Sequence, residues 1–155
     1  MIRVLAPLAL LALPAAAQEI PVPDVVLTQC LDAGLPELCI GMLARLCETA
    51  EGPGSGGICR GAENAVWLGR IGAAEAALRE REPAVQARAE RLGWPDPVPS
   101  VEAIAGAFAA YRDAACSWRA AAWEGIHAGV EEMDCLMRLN ARQALLLEGF
   151  LYDQH

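Results

Sequence analysis

The chain contains no lysine, has only two histidines, and lacks any closely spaced cysteine pair of the C-x-x-C kind. Each absence closes a class of function. Basic groups are confined to 12 arginines against 20 acids, a formal charge of −8. Nucleic acid and anionic lipid both require cationic surface, so neither is an expected partner. A cationic partner suits this balance, because net charge mainly governs solubility and the rate of encounter. The histidines are His127 and His155, the latter being the last residue. No G-x-S-x-G, P-loop, H-E-x-x-H or dinucleotide fingerprint occurs, so no cofactor is expected. A catalytic cysteine would need a reduced thiol and a base, and no such pair can be assembled. The chain therefore reads as a non-enzyme. Zinc sites of the common kind use paired short cysteine spacings, which leaves metal binding as the weaker alternative. β-Branched residues are few and no period-2 run is long, which excludes an extensive sheet and points to helices.

What is present begins with a leader. Arg3 precedes an almost wholly apolar run, Val4 to Leu13, and Ala15 and Ala17 form an A-x-A site. This is the pattern of a secretory signal peptide over residues 1–17. The run is too short to span a bilayer, and Cys30 lies too far downstream to be a lipoprotein cysteine. Cleavage after Ala17 would leave Gln18 to His155 with 20 acids against eleven arginines, or −9. The expected location is the periplasm or the exterior.

The mature length fits one helical domain (58–152), preceded by a cysteine-containing arm and helix (18–57). Pro21 and Pro23 make an extended arm of the first residues. A short helix is expected over Val25 to Asp32 and another over Leu35 to Thr49, with Leu38, Met42 and Leu46 along one stripe. The run Glu51 to Gly57 is a loop. Ile58 to Leu92 reads as one long helix in which Ile71, Leu78, Val85 and Leu92 recur every seven residues, with Trp67 and Ala74 beside them. Pro83 should kink or break it near Arg79 to Glu82. A turn through Pro95, Pro97 and Pro99 follows, and Ser100 is placed to N-cap the next helix. There Val101, Ile104, Phe108, Tyr111, Ala115, Trp118 and Ala122 form an apolar seam. A last helix runs from about Val130 to Leu151, with Met133, Leu136, Leu139, Leu146, Leu147 and Phe150 as core positions. The expected fold is an all-α antiparallel bundle of about four helices braced by disulfides.

An even six cysteines in an exported chain read as a disulfide framework,. Cys39 and Cys47, eight residues apart on one helix, would be about 12 Å apart, beyond the roughly 7 Å a disulfide tolerates. Cys116 and Cys135 flank the Gly125–Gly129 turn on antiparallel helices and should bond each other. The other four pair most simply as Cys30–Cys39 and Cys47–Cys59. Cys30–Cys59 and Cys30–Cys47 are the crossed alternatives.

The string Tyr111-Arg112-Asp113-Ala114-Ala115-Cys116, a glycine-containing loop and then Cys135-Leu136 resembles the LprI-like lysozyme inhibitor domain, a bacterial exported family. Phe108 stands at that pattern's upstream aromatic position. Cys59, Glu63 and Trp67 resemble its first helix, C-x-x-x-E-x-x-x-W. Gly72, Glu75, Ala105, Gly106 and Asn140 depart from it. The resemblance implies a periplasmic binding protein whose partner is a lysozyme, many of which are cationic. The alternative is an envelope structural or stress protein.

Taken by themselves, the motif residues Trp67, Phe108, Tyr111, Arg112 and Asp113 read as structural. Tyr111 falls on the apolar seam, and Asp113 or Glu124 could pair with Arg138 or Arg142 on the facing helix. Binding would then fall to a loop at an end of the bundle. One candidate loop carries Trp94 and Asp96, stiffened by its prolines. The other carries His127.

Overall fold

A computed structural model describes residues 24–152, so the expected leader, the arm before Asp24 and His155 lie outside the described residues. Within them the chain is helical throughout: α1 (Asp24–Asp32), α2 (Pro36–Cys39), α3 (Met42–Glu51), α4 (Gly56–Leu92), α5 (Val101–Ala121) and α6 (Ile126–Tyr152). The long helices run up, down and up. α4 and α6 are parallel, with Arg60 opposite Asp134, Asn64 opposite Asn140 and Arg70 opposite Glu148. α5 runs antiparallel between their ends. It packs chiefly on α6 and touches α4 sparingly, around Glu82 and Val101. The short helices α1 to α3 fold against the lower part of α4 and α6, where Leu27, Leu43, Trp67, Met137 and Ala141 share one core.

The ends of these helices follow from local chemistry. Gly93 terminates α4 at φ 68°, with its N–H on the Glu90 carbonyl (3.0 Å) and the Trp94 N–H on the Ala89 carbonyl (3.1 Å). This is the Schellman arrangement, which favours glycine at the left-handed position. Ser100 caps α5 as expected, its hydroxyl accepting from the Ala103 N–H at 3.1 Å. The Glu82 carboxylate adds a second cap by accepting from the Val101 N–H at 3.1 Å. α4 runs unbroken through Pro83 to Leu92. Glu82 and Gln86, on either side of the proline, tie this part of α4 to the returning loop, the latter through Nε2 to the Val98 carbonyl at 2.9 Å.

The disulfides are Cys30–Cys39, Cys47–Cys59 and Cys116–Cys135, and no described cysteine is free. The simplest pairing is thus the one present.

Four expectations are corrected. The helix over Leu35 to Thr49 is two helices, divided at Ile40 and Gly41. Gly41 has φ 80°, and a Cβ there would lie 3.1 Å from the Arg45 guanidinium. The division resets the helical phase, so Leu43, Ala44 and Cys47 are buried while Leu38 and Leu46 face solvent. On α5 the seam holds at Val101, Ile104, Phe108 and Ala115 and fails at the other three positions: Tyr111 is 62% and Trp118 77% exposed, and Ala122 is exposed. A seam of period 3.5 drifts about 20° per heptad on a straight helix, and the Cys116–Cys135 bond turns Arg112 and Cys116 toward α6 instead. Leu92 is exposed because α4 outruns α6, whose end at Leu151 lies beside Arg81. On α6, Leu147 is buried, but Leu146 and Phe150 are exposed.

Candidate functional site at the loop end of the bundle

The sequence motif is spent largely inside the fold. Trp67 and Glu63, one helical turn apart on α4, are both fully buried. Glu63 has no ion-pair partner. Its carboxylate instead accepts from the Gly41 N–H (2.7 Å), the Ala44 N–H (2.8 Å) and the Trp67 indole N–H (2.9 Å). Gly41 is the N-cap of α3 and has no side chain with which to cap it. Glu63 performs that task from another helix. Two orphan amides are satisfied, and the positive end of the α3 dipole faces the carboxylate. Cys59, one turn before Glu63, bonds Cys47 of the same α3. The C-x-x-x-E-x-x-x-W face of α4 is therefore a seat for α3. Sequence reasoning placed Glu63 in the pattern but missed its role; the four-residue spacing to Cys59 and Trp67 was the available signal.

The second half of the motif links the three long helices. Arg112 lies over the Phe108 ring (5.8 Å to the centroid), donates from Nε to Asp113 (2.8 Å) and approaches Asn140 Oδ1 at 3.4 Å. Asn140, buried, donates to Asn64 of α4 at 2.7 Å. Asp113 thus pairs with its neighbour and not with α6. Arg138 pairs with Asp134 (2.7 Å) and Arg142 with Glu37 of α2 (3.5 Å), while Glu124 pairs with neither. The hydrogen bond to Asp134 holds the Arg138 guanidinium above its ordinary value, against the opposing effect of burial. Tyr111 stands outside this network, on the surface.

The two candidate loops lie at opposite ends. α4 alone is about 56 Å long by its 37 residues at 1.5 Å each,, so Trp94 and Asp96 cannot share a small ligand with His127, which stands in the first turn of α6 and not in a loop. Trp94 is 63% exposed beside the exposed Asp96.

At the lower end, the 52–55 loop and the first turns of α6 face each other. Between them lies a cleft of about 570 Å³, lined by Glu48, Thr49, Pro53, Ile126, His127 and Val130 among others. Apolar side chains crowd its surroundings: Ile126 is 84% exposed, Ile58 64% and Trp123 45%. The Trp123 and His127 rings are 6.4 Å apart, tilted by 46°. Arg60 stiffens the cleft by bridging three helices, meeting Glu48 of α3 at 2.7 Å in an ion pair too oblique for a hydrogen bond and Asp134 of α6 at 3.1 Å. Arg119 binds Glu131 at 2.6 Å. Glu51, Glu124 and Glu132 have no ionic partner among the described residues. The lower end thus offers exposed apolar bulk at a cleft that Glu48 and His127 line.

Among the described residues, no group of three His, Cys, Asp or Glu side chains is placed to hold a metal, and no helix is long and apolar enough to cross a membrane. No protein-family model, curated protein or solved structure matches this chain.

Proposed function

We propose that this chain is an exported, non-enzymatic binding protein that docks a cationic protein against the loop end of its bundle. A lysozyme is the partner to which the resemblance to the LprI-like pattern points. The observation that carries the reading is the exposure of Ile126 in a cleft that Glu48 and His127 also line, with the exposed Trp123 ring beside His127. Large exposed aromatic and aliphatic groups rimmed by charge are the usual anatomy of a docking surface. The overall charge of −8 would speed encounter with a cationic partner,. Three disulfides suit an oxidising compartment,, consistent with residues 1–17 acting as a signal peptide and the periplasm as destination.

The test is inhibition of a panel of cationic lysozymes at low and high salt, with Ile126→Glu and Trp123→Ala beside the parent chain. Inhibition should weaken about thirtyfold or more in each variant, the ~2 kcal/mol threshold of an interface hot spot, and should fall with salt. If no lysozyme is inhibited, the partner is not one of those enzymes. The second reading, an envelope structural or stress protein, then takes precedence. It is favoured by one observation: Cys59, Glu63, Trp67, Arg112 and Cys116 are all consumed by packing, capping or covalent bracing.

A further inference from the structure

The upper end of the bundle holds a second concavity, unrelated to docking at the loop end. It lies where α4, the returning 98–99 loop, the first turn of α5 and Phe150 of α6 come together. The result is a groove of about 270 Å³. Its walls are Leu78, Val85, Val98, Val101, Ile104 and Phe150.

Three polar side chains also line it, and each is turned to backbone. Glu82 accepts from the Val101 N–H, Gln86 donates to the Val98 carbonyl, and Arg81 donates from Nη1 to the Leu151 carbonyl at 2.8 Å. The polar groups fasten the surrounding elements, leaving an apolar interior. Arg81 uses one of its five N–H groups in this way,. It is exposed and has no carboxylate partner among the described residues, and it lines the groove.

We infer that this groove binds the single aliphatic chain of a monoacyl amphiphile, with an anionic head on Arg81. An apolar wall selects hydrocarbon, because a polar group entering it would lose its hydrogen bonds with water and find none in return. The volume sets the length. A cavity of about 150 Å³ takes up benzene, so one of about 270 Å³ accommodates on the order of ten carbons by proportion,. The guanidinium supplies the opposite charge for a carboxylate or phosphate.

Chain length provides the test, with straight-chain carboxylates from hexanoate to tetradecanoate titrated calorimetrically into the purified chain below their micelle-forming concentrations. Each added methylene should tighten binding about fourfold, the factor corresponding to ~0.8 kcal/mol per buried CH₂. The trend should flatten near ten carbons as the groove fills. Arg81→Gln should weaken decanoate several-fold and leave decanol unchanged. Ile104→Trp and, on the loop side, Val98→Trp should each abolish binding while the helical circular dichroism stays that of the parent. Decanoyl lysophospholipid, presented as monomers, asks whether a bulkier head is accepted; binding equal to decanoate identifies a lipid chain, and binding of decanoate alone identifies a free fatty acid. Absence of binding by any carboxylate would overturn the inference, as would affinity that keeps rising past about ten carbons or that both filling variants leave intact. A dimer that decanoate fails to dissociate would equally overturn it by assigning the groove to a second copy. Lysozyme inhibition by the Ile104→Trp chain is expected to match the parent, so failure here and failure at the loop end are separable.

Discussion

The two ends of this bundle are held together by different means. All three disulfides lie in the lower half, together with the buried carboxylate of Glu63 and the Asn64–Asn140 pair. The upper half has no covalent brace. There the returning loop and the start of α5 depend on Ser100, Glu82, Gln86 and the apolar contacts of Leu78 and Val101. The difference follows from what each end must organise. Below, three short helices too small to be stable alone must be fixed against two long ones. Above, a single helix hairpin closes on itself, and side-chain caps suffice.

Substitutions can break that contrast. The largest effect is expected at Glu63. Glu63→Ala leaves three buried N–H donors without an acceptor, at about 1–3 kcal/mol each, and should destabilise the fold by more than about 4 kcal/mol in urea titration. Glu63→Gln keeps one acceptor oxygen and should cost roughly half as much. If Glu63→Ala melts like the parent, α3 is not seated by this carboxylate. Next comes the disulfide pair: Cys116→Ser with Cys135→Ser should cost about 3 kcal/mol, from the entropy of closing a loop of 19 residues' separation,. A smaller loss is expected above, where Glu82→Ala removes one of two caps on α5 and should cost about 1 kcal/mol. Hydrogen exchange should quicken at the first turn of α5 and not at α3. The smallest effect is expected for Tyr111→Ala, within about 0.5 kcal/mol as for an exposed position. Phe108→Ala on the same helix, half-buried against the core, should cost several times more.

That last pair marks where the amino-acid pattern ceased to be a guide. Phe108, Tyr111, Ala115 and Trp118 look equivalent as an apolar series, and only the covalent tie at Cys116 determines which way α5 is turned. A bare helical period states that a stripe exists. The angle at which it meets its neighbour is set by contacts far along the chain. The all-helical class, the spans of α4 and α5 and the simplest disulfide pairing were legible, because glycine, proline and cysteine act locally or through short loops. The split between α2 and α3 was harder to read. Gly41 is unremarkable inside Ile40-Gly41-Met42 until Glu63, 22 residues on, accepts its N–H. Of the candidate site, the turn after α5 was legible, but His127, expected in a Gly125–Gly129 loop, stands in the first turn of α6, which begins at Ile126. The cleft formed with residues 52–56 was not legible, since nothing in either loop announces the other. Trp67 was legible as core, whereas the polar chain from Arg112 through Asn140 to Asn64 depends on three helices meeting at one level.

The order of the disulfides has a consequence for how the protein is made. Cys30 bonds Cys39, Cys47 bonds Cys59 and Cys116 bonds Cys135, so every cysteine is joined to its immediate neighbour in the chain. Six cysteines permit 15 pairings,. In a polypeptide delivered N-terminus first to an oxidant, only one of those pairings results from joining thiols in order of arrival. That pairing is the native one. On such delivery each bond can close before the next cysteine pair emerges, and maturation by that route would need an oxidase but no enzyme that reshuffles mispaired thiols.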